Sequence, residues 1–189
     1  MHPPADQELL VNIAAGDAAA LRHLYDRHAS RVYNTAISYL QREVEAEEVT
    51  QDVFTKVWRS AGTFKGNSEV TTWLYRIAVN TSLSALRKRK KRNIFSAFGD
   101  RELSPPDFDH PGALLEDREE TKSLFAAIYR LPDRQKTAFI LSYVEEIPRS
   151  QVAEIMGNTL KAVESLLIRA KAGLRKQLKA NHPHRGINR

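Results

Sequence analysis

The chain has 189 residues, 42% of them apolar, enough for one ordinary core or two small ones, so one or two compact domains are expected. It has no cysteine, which excludes disulfides and thiolate metal sites and fits a reducing compartment. No run of about 18 apolar residues occurs, and the N-terminus reads Met-His-Pro-Pro-Ala-Asp, so neither membrane insertion nor a secretion signal is expected and a cytoplasmic setting is the default. The net charge of +6 is distributed in blocks. Residues 1–86 are slightly acidic; 87–92, Arg-Lys-Arg-Lys-Lys-Arg, are wholly basic; 93–121 carry eight acids against two bases; and 122–189 carry thirteen bases against five acids. Two basic zones flanking an acidic connector suit a polyanion contacted at two separated places, because each neutralised phosphate releases condensed counterions.

Before residue 93 the apolar periodicity is helical throughout, with no sustained strand-type alternation. Asp6 can cap a short helix ending at Gly16, and Asp17 a longer one with Leu21, Leu24, Tyr25, Val32 and Ala36 inward. A third helix is predicted from about Ala46 to Ala61, with Val49, Val53, Val57, Phe54 and Trp58 on its buried side. Its other face holds Glu48, Gln51, Asp52, Thr55 and Arg59, a pattern that an ordinary solvated face would also show.

A loop with Phe64, Lys65, Gly66, Asn67 and Ser68 leads to a fourth helix, from near Thr72 to about Arg92. Leu74, Ile77, Ala78, Thr81 and Ala85 make its core side; Trp73, Arg76, Asn80, Ser84, Arg87 and Lys91 form a separate stripe. An aromatic, an amide and cations together can stack on bases, bond to base edges and neutralise phosphates, as single-stranded nucleic-acid binding requires. The competing reading is a Trp folded back on the core among surface cations.

Residues 93–118, with Pro105, Pro106 and Pro111 and many acids, read as a flexible linker. Beyond it, Leu124, Ile128 and Leu131 lead to Pro132, which ends one helix, and Asp133 can cap the next, carrying Ala138, Phe139, Leu141, Ser142 and Tyr143. Val152, Ile155 and Met156 then precede Gly157-Asn158-Thr159 and a basic helix backed by Leu160, Val163, Leu166, Leu167, Ala170 and Leu174. Helix, short turn with Gly, then apolar-backed basic helix is the pattern of a helix-turn-helix, although a plain three-helix cap shares it. In that motif Lys161, Ala162, Glu164 and Ser165 would face base edges, with Arg169 and Lys171 nearer the phosphates. Arg149 and Ser150, opening the preceding helix, could meet the backbone. The expected fold is all-α: a helical domain at 1–92, the linker at 93–118, a helix-turn-helix domain at 119–180 and a tail at 181–189.

Taken in order, several segments resemble the extracytoplasmic-function (ECF) sigma factor family of bacterial RNA polymerase over nearly all of residues 6–178. They are Gly16-Asp17 with Leu24-Tyr25, Ala46 to Phe54 and on to Trp58, Phe64-Lys65-Gly66-Asn67-Ser68, and Thr72-Trp73-Leu74-Tyr75-Arg76-Ile77-Ala78-Val79-Asn80. In the second half Leu131-Pro132, Val152 to Gly157, Val163, Ser165, Arg169-Ala170-Lys171 and Leu174-Arg175 carry the likeness. The resemblance implies that Glu48, Gln51, Asp52 and Thr55 grip core RNA polymerase. It implies that Phe64, Lys65, Asn67, Ser68, Trp73, Arg76 and Asn80 open the −10 promoter DNA and hold an unstacked base, with Arg87, Lys88 and Lys91 on nearby phosphates. The second domain would read the −35 element through Arg149, Ser150, Lys161, Ala162, Glu164, Ser165, Arg169 and Lys171.

The chain departs from the family pattern at Pro148-Arg149, where Ser-Tyr is common, and at Ala162 to Leu166, where Thr-Val-Lys-Ser-Arg is common. Glu164 and Leu166 thus replace two cations, which bears on the upstream sequence preference and on some phosphate contacts. By the same resemblance the acidic connector threads through the polymerase, a solvated tether being the other reading, and an anti-sigma factor is a candidate partner. No cofactor is expected, and no appended autoinhibitory module.

No Walker motif, catalytic Ser/His/Asp set or paired metal-ligand arrangement occurs in its required context, so an enzyme is not expected. His182 and His184 read as a chance surface pair. The alternatives are a stand-alone DNA-binding regulator, which uses only the second domain, and a helical scaffold, which predicts no salt-sensitive DNA binding.

Overall fold

The computed structural model describes residues 4–96 and 118–181, which fall into two compact units, one within residues 1–99 and one within 100–189. All regular structure among them is helical, as the periodicity predicts.

In the first unit α1 (Asp6–Ala14), α2 (Ala18–Leu40), α3 (Glu43–Ser60), a 3₁₀ turn (Ala61–Thr63) and α4 (Val70–Ser96) follow in order. Helices α2, α3 and α4 pack on one another, and α1 lies against α2 and the 3₁₀ turn. Leu9, Leu10 and Ile13 of α1 meet Ala20 and Leu24 of α2, Val57 of α3, Ala61, and Val70 and Leu74 of α4 in one buried cluster. Each such large aliphatic side chain contributes about 1.5–3 kcal/mol through burial.

Asp17 caps α2 as its position suggests, its carboxylate accepting from the N–H groups of Ala19 (2.8 Å) and Ala20 (3.2 Å). Asp6 does not cap α1: the cap position is Ala5, and Asp6 lies in the first turn. Its carboxylate instead pairs with Arg27 and, at 2.7 Å, with Nε2 of buried His28, fastening α1 to α2. Tyr25 and Trp58, expected inward, are 38% and 39% exposed. Tyr25 rests on Phe54 with ring centroids 4.8 Å apart. Helix α3 begins at Glu43, three residues before the predicted start, and α4 continues to Ser96, four residues into the segment expected to be linker.

The α2–α3 corner turns on Gln41, buried and left-handed at φ 54°, whose N–H bonds to the Ile37 carbonyl at 2.8 Å. Across this corner lies Arg89 of α4, 4% exposed. Its guanidinium donates to the Leu40 carbonyl (3.0 Å) and to Oε2 of Glu45 (2.8 Å), so one side chain joins the end of α2, the start of α3 and the far half of α4.

The second unit comprises α5 (Arg118–Arg130), α6 (Asp133–Phe139), which runs on into a π turn (Ile140–Val144), α7 (Arg149–Met156) and α8 (Leu160–Asn181). Its buried side chains include Phe125, Ile128, Leu131, Ile140, Leu141, Val152 and Ile155, with Val163, Leu166, Leu167, Ala170 and Leu174 of α8. The π turn is closed by Glu145 N–H on the Ile140 carbonyl at 2.9 Å, five residues back. Asp133 does not cap α6: Pro132 takes the cap position, extended at ψ 141°, and its carbonyl receives the Lys136 N–H. Lys136 is itself buried, its ammonium 5.0 Å from the Tyr129 ring centroid. Leu160, expected to back α8, is 46% exposed because it lies at the helix start, beyond the hydrophobic seam. Residues 97–117 of the expected linker and His182/His184 lie outside the described residues.

Candidate functional site

Burial of Ala46, Val49, Val53 and Val57 forces the opposite side of α3 outward. Glu48, Gln51, Asp52, Thr55 and Arg59 are accordingly all exposed. Glu48 and Asp52 line a groove of about 390 Å³ between α3 and α4, which Lys88, Arg89 and Arg92 also line. Lys56 crosses it to donate to Thr81 Oγ1 at 2.8 Å. Lys88, assigned by resemblance to DNA phosphates, therefore shares this groove with two of the expected polymerase-docking acids.

Phe64 and Trp73 meet in a tilted pair, centroids 5.5 Å apart. Both are half-buried against the α1–α2–α4 cluster, which anchors the loop base. The Trp73 indole thus lies partly on the core and stays partly accessible. Beyond Phe64 the loop bends at left-handed Gly66 (φ 70°), where only glycine is free of strain. Lys65 and Asn67 are exposed and Ser68 is half-buried. Along α4, Arg76 is half-buried while Asn80, Ser84, Arg87 and Lys91 are exposed. Arg87 folds along its own helix, Nε donating to the Leu83 carbonyl at 3.2 Å. The basic run is therefore not one uniform cationic surface, since its third member, Arg89, is spent inside the fold. The signal for this was the helical phase, because Ala78, Ser82 and Leu86 point inward and the next position on that line is 89/90.

The helix-turn-helix forms where the sequence places it. Gly157, left-handed at φ 59°, stops α7, and the Asn158 N–H closes on the Ala153 carbonyl at 2.8 Å. Asn158 Oδ1 accepts from Arg134 at 2.7 Å, tying the turn to α6. Thr159 Oγ1 then accepts from the Ala162 N–H at 3.2 Å, capping α8. Along α8 Lys161, Glu164, Arg169 and Lys171 are exposed, with Ala162 and Ser165 half-buried; Arg149 and Ser150 are exposed at the start of α7. Ser165 Oγ donates to the Lys161 carbonyl at 3.0 Å, and Arg169 Nε to the Ser165 carbonyl at 3.2 Å.

Lys171 is not simply solvated. Its ammonium lies 4.5 Å from the centroid of the Tyr143 ring, and Arg149 Nη2 approaches the Tyr143 hydroxyl oxygen at 3.5 Å. The Lys171 hydrogen bond, the largest influence, together with that of Arg149 and the two positive charges, holds the phenol below its ordinary range against the opposing effect of burial. Tyr143 was not among the expected site residues. Nothing local could flag it, since its partners are six and 28 positions away, on α7 and α8.

No helix among the described residues is long and apolar enough to cross a membrane. The family model for Sigma-70 region 2 matches residues 24–92, and that for Sigma-70, region 4 matches residues 122–174. Together they define a sigma-70-type transcription initiation factor. The ECF RNA polymerase sigma-E factor of Haemophilus influenzae is 32% identical over 173 residues, 88% of this chain and 91% of that protein. The ECF RNA polymerase sigma factor SigW of Bacillus subtilis is 28% identical over 174 residues, 88% of this chain and 93% of that one. This chain belongs to the ECF family of RNA polymerase sigma factors. It binds core RNA polymerase and promoter DNA and promotes promoter-specific initiation of transcription. Among solved structures, CnrH in complex with the cytosolic domain of CnrY matches with a TM-score of 0.68 at 23% identity, over 94% of this chain and 99% of that one. The sigma factor RpoE of Bartonella quintana, solved with the anti-sigma factor NepR, matches with a TM-score of 0.65 at 24% identity, over 84% and 96%. Both are likenesses of fold.

Proposed function

We propose the following division of labour, in a cytoplasmic protein with no reaction of its own. The first domain, residues 1–92, docks on core polymerase through Glu48, Gln51, Asp52 and Thr55 of α3. It captures an unstacked −10 base between the Phe64–Ser68 loop and the Trp73, Arg76 and Asn80 side of α4, with Arg87, Lys88 and Lys91 on flanking phosphates. Unpairing and unstacking cost a few kcal/mol, which stacking on the accessible part of Trp73 and cationic contacts must offset. The second domain, residues 119–180, reads the −35 duplex through the start of α8 and rests α7 on its backbone, the acidic linker joining the two. Because the Bartonella relative was solved with an anti-sigma factor, inhibition by such a partner is part of this reading.

The observation that carries it is that one unit exposes two chemically distinct surfaces, the acid-amide face of α3 and the aromatic-amide-cation surface around Phe64 and Trp73. They should fail separately. Gln51→Ala with Asp52→Ala should weaken co-elution with core polymerase while leaving the fold intact. Trp73→Ala should keep co-elution and duplex binding but lose promoter opening, read as permanganate reactivity of −10 thymines. Unchanged co-elution removes the α3 face from docking, and equal losses of duplex binding and opening count against strand capture.

A further inference from the structure

Three elements of the second unit converge on one phenol: the π turn supplies Tyr143, the first residue of α7 supplies Arg149, and α8 supplies Lys171. Tyr143 is 38% exposed and its ring is steadied from beneath by Phe139, centroids 5.0 Å apart. A phenolic oxygen has one hydrogen to give and lone pairs to receive. With Arg149 directed at the oxygen and Lys171 over the ring, the acceptor side faces cations, so the O–H is left to point away from both. The same cations make the phenol more acidic than usual and so a stronger donor. Phenol, guanidinium and ammonium then gather around one exposed ring, and an anion binding beside the phenol would be attracted by both positive charges.

We infer that Tyr143, Arg149 and Lys171 form a clamp for a single backbone phosphate of duplex DNA, with the Tyr143 hydroxyl donating to a non-bridging oxygen. A phosphodiester offers two such oxygens, matching the fork of Arg149 and a second donor beside it. Duplex DNA is its source because Arg149 opens the first helix of the helix-turn-helix, the element that lies on the backbone in this motif and whose first-turn N–H groups also favour an anion. The inference rests on the reading of the second unit as a duplex reader. It adds Tyr143 to that reading and joins Arg149 and Lys171 on one phosphate instead of two.

The test uses holoenzyme on a promoter fragment in which the upstream-element phosphates are replaced one at a time by neutral methylphosphonate. Tyr143→Phe keeps the ring under Lys171, and an unchanged circular dichroism spectrum shows that it folds. It is expected to bind unmodified DNA about fivefold more weakly. At one phosphate the neutral replacement should weaken the wild type about tenfold and Tyr143→Phe far less, and Arg149→Met and Lys171→Met should lose sensitivity at that same phosphate. If Tyr143→Phe matches the wild type at every position, or the three variants point to different phosphates, the clamp is wrong although duplex reading stands. If wild-type holoenzyme shows no dependence on the upstream duplex at all, the duplex-reading assignment and the clamp fall together.

Discussion

Replacing Arg89 by alanine should unsettle the whole first unit, although the residue belongs to a run of six cations in sequence. Breaking a buried ion pair from one side costs about 3–5 kcal/mol. Here Glu45 keeps 21% of its side-chain surface in water and a second cation, Arg42, at 3.5 Å, which brings the loss down to about 2 kcal/mol. The Leu40 carbonyl, at the last turn of α2, loses a charged donor for about 1 kcal/mol more. The sum, about 3 kcal/mol, is a large part of the stability of a unit this size and should lower the urea midpoint by about 2 M. Trp58 and Trp73 are the only tryptophans in the chain, so intrinsic fluorescence reports on this unit alone. Lys91→Ala, an exposed change two residues on, should stay within about 0.5 kcal/mol of wild type. A midpoint for Arg89→Ala no lower than that of Lys91→Ala would refute the reasoning. So would additive losses in the Arg89→Ala, Glu45→Ala double-mutant cycle, which should instead show coupling of about 1–2 kcal/mol.

Asp17→Ala should cost about 1 kcal/mol by the same fluorescence readout, and Asp17→Asn only a few tenths, because an amide oxygen can still accept from Ala19 and Ala20. Glu146, exposed and left-handed at φ 53°, should gain about 0.5–1 kcal/mol on replacement by glycine, seen as roughly threefold slower hydrogen exchange of core amides in α6 and α8. The Tyr143 phenol should ionise below the ordinary tyrosine range in an ultraviolet difference titration against Tyr143→Phe, and Lys171→Met should move it upward. Since the folded value lies below the unfolded one, this phenol adds no stability at neutral pH. Its contribution appears as pH rises through the folded value and is complete above the unfolded one, so Lys171→Met should remove a small alkaline gain in stability.

Where a signal was local, the sequence carried it. Asp17 two and three residues before the N–H groups it accepts, Gly157 at a left-handed stop and the inward line Leu74, Ala78, Thr81 were all legible, because helical phase and capping depend on near neighbours. Asp6 was misread because its partners, Arg27 and His28, are 21 and 22 residues away and compete for the carboxylate. Trp58 was misread because each step of four residues advances about 40° around the helix, and the step beyond Phe54 carries it off the buried stripe. Gln41 gave no warning, since a left-handed corner is usually marked by Gly or Asn. Of the site, the exposed face of α3 and the start of α8 followed from the position of the core. The inward turn of Arg89 was traceable in the helical phase of α4, whereas the meeting of Tyr143, Arg149 and Lys171 is a tertiary event with no short-range trace.

The π turn at Ile140–Val144 holds one residue more than an α-helical path needs, and five residues absorb it. Because the turn absorbs that residue, deleting one there would let the helix close its ordinary pairing with the segments on either side keeping nearly their present facing. Side chains inside the turn would change their facing, Tyr143 toward Arg149 and Lys171 among them, with the packed helices on either side still able to fold. On the proposed clamp, grip on the DNA backbone would be set at this point by the length of the chain as much as by its chemistry. A lineage could loosen or restore that grip by a single codon lost or gained, leaving untouched the residues of α8 proposed to read the bases.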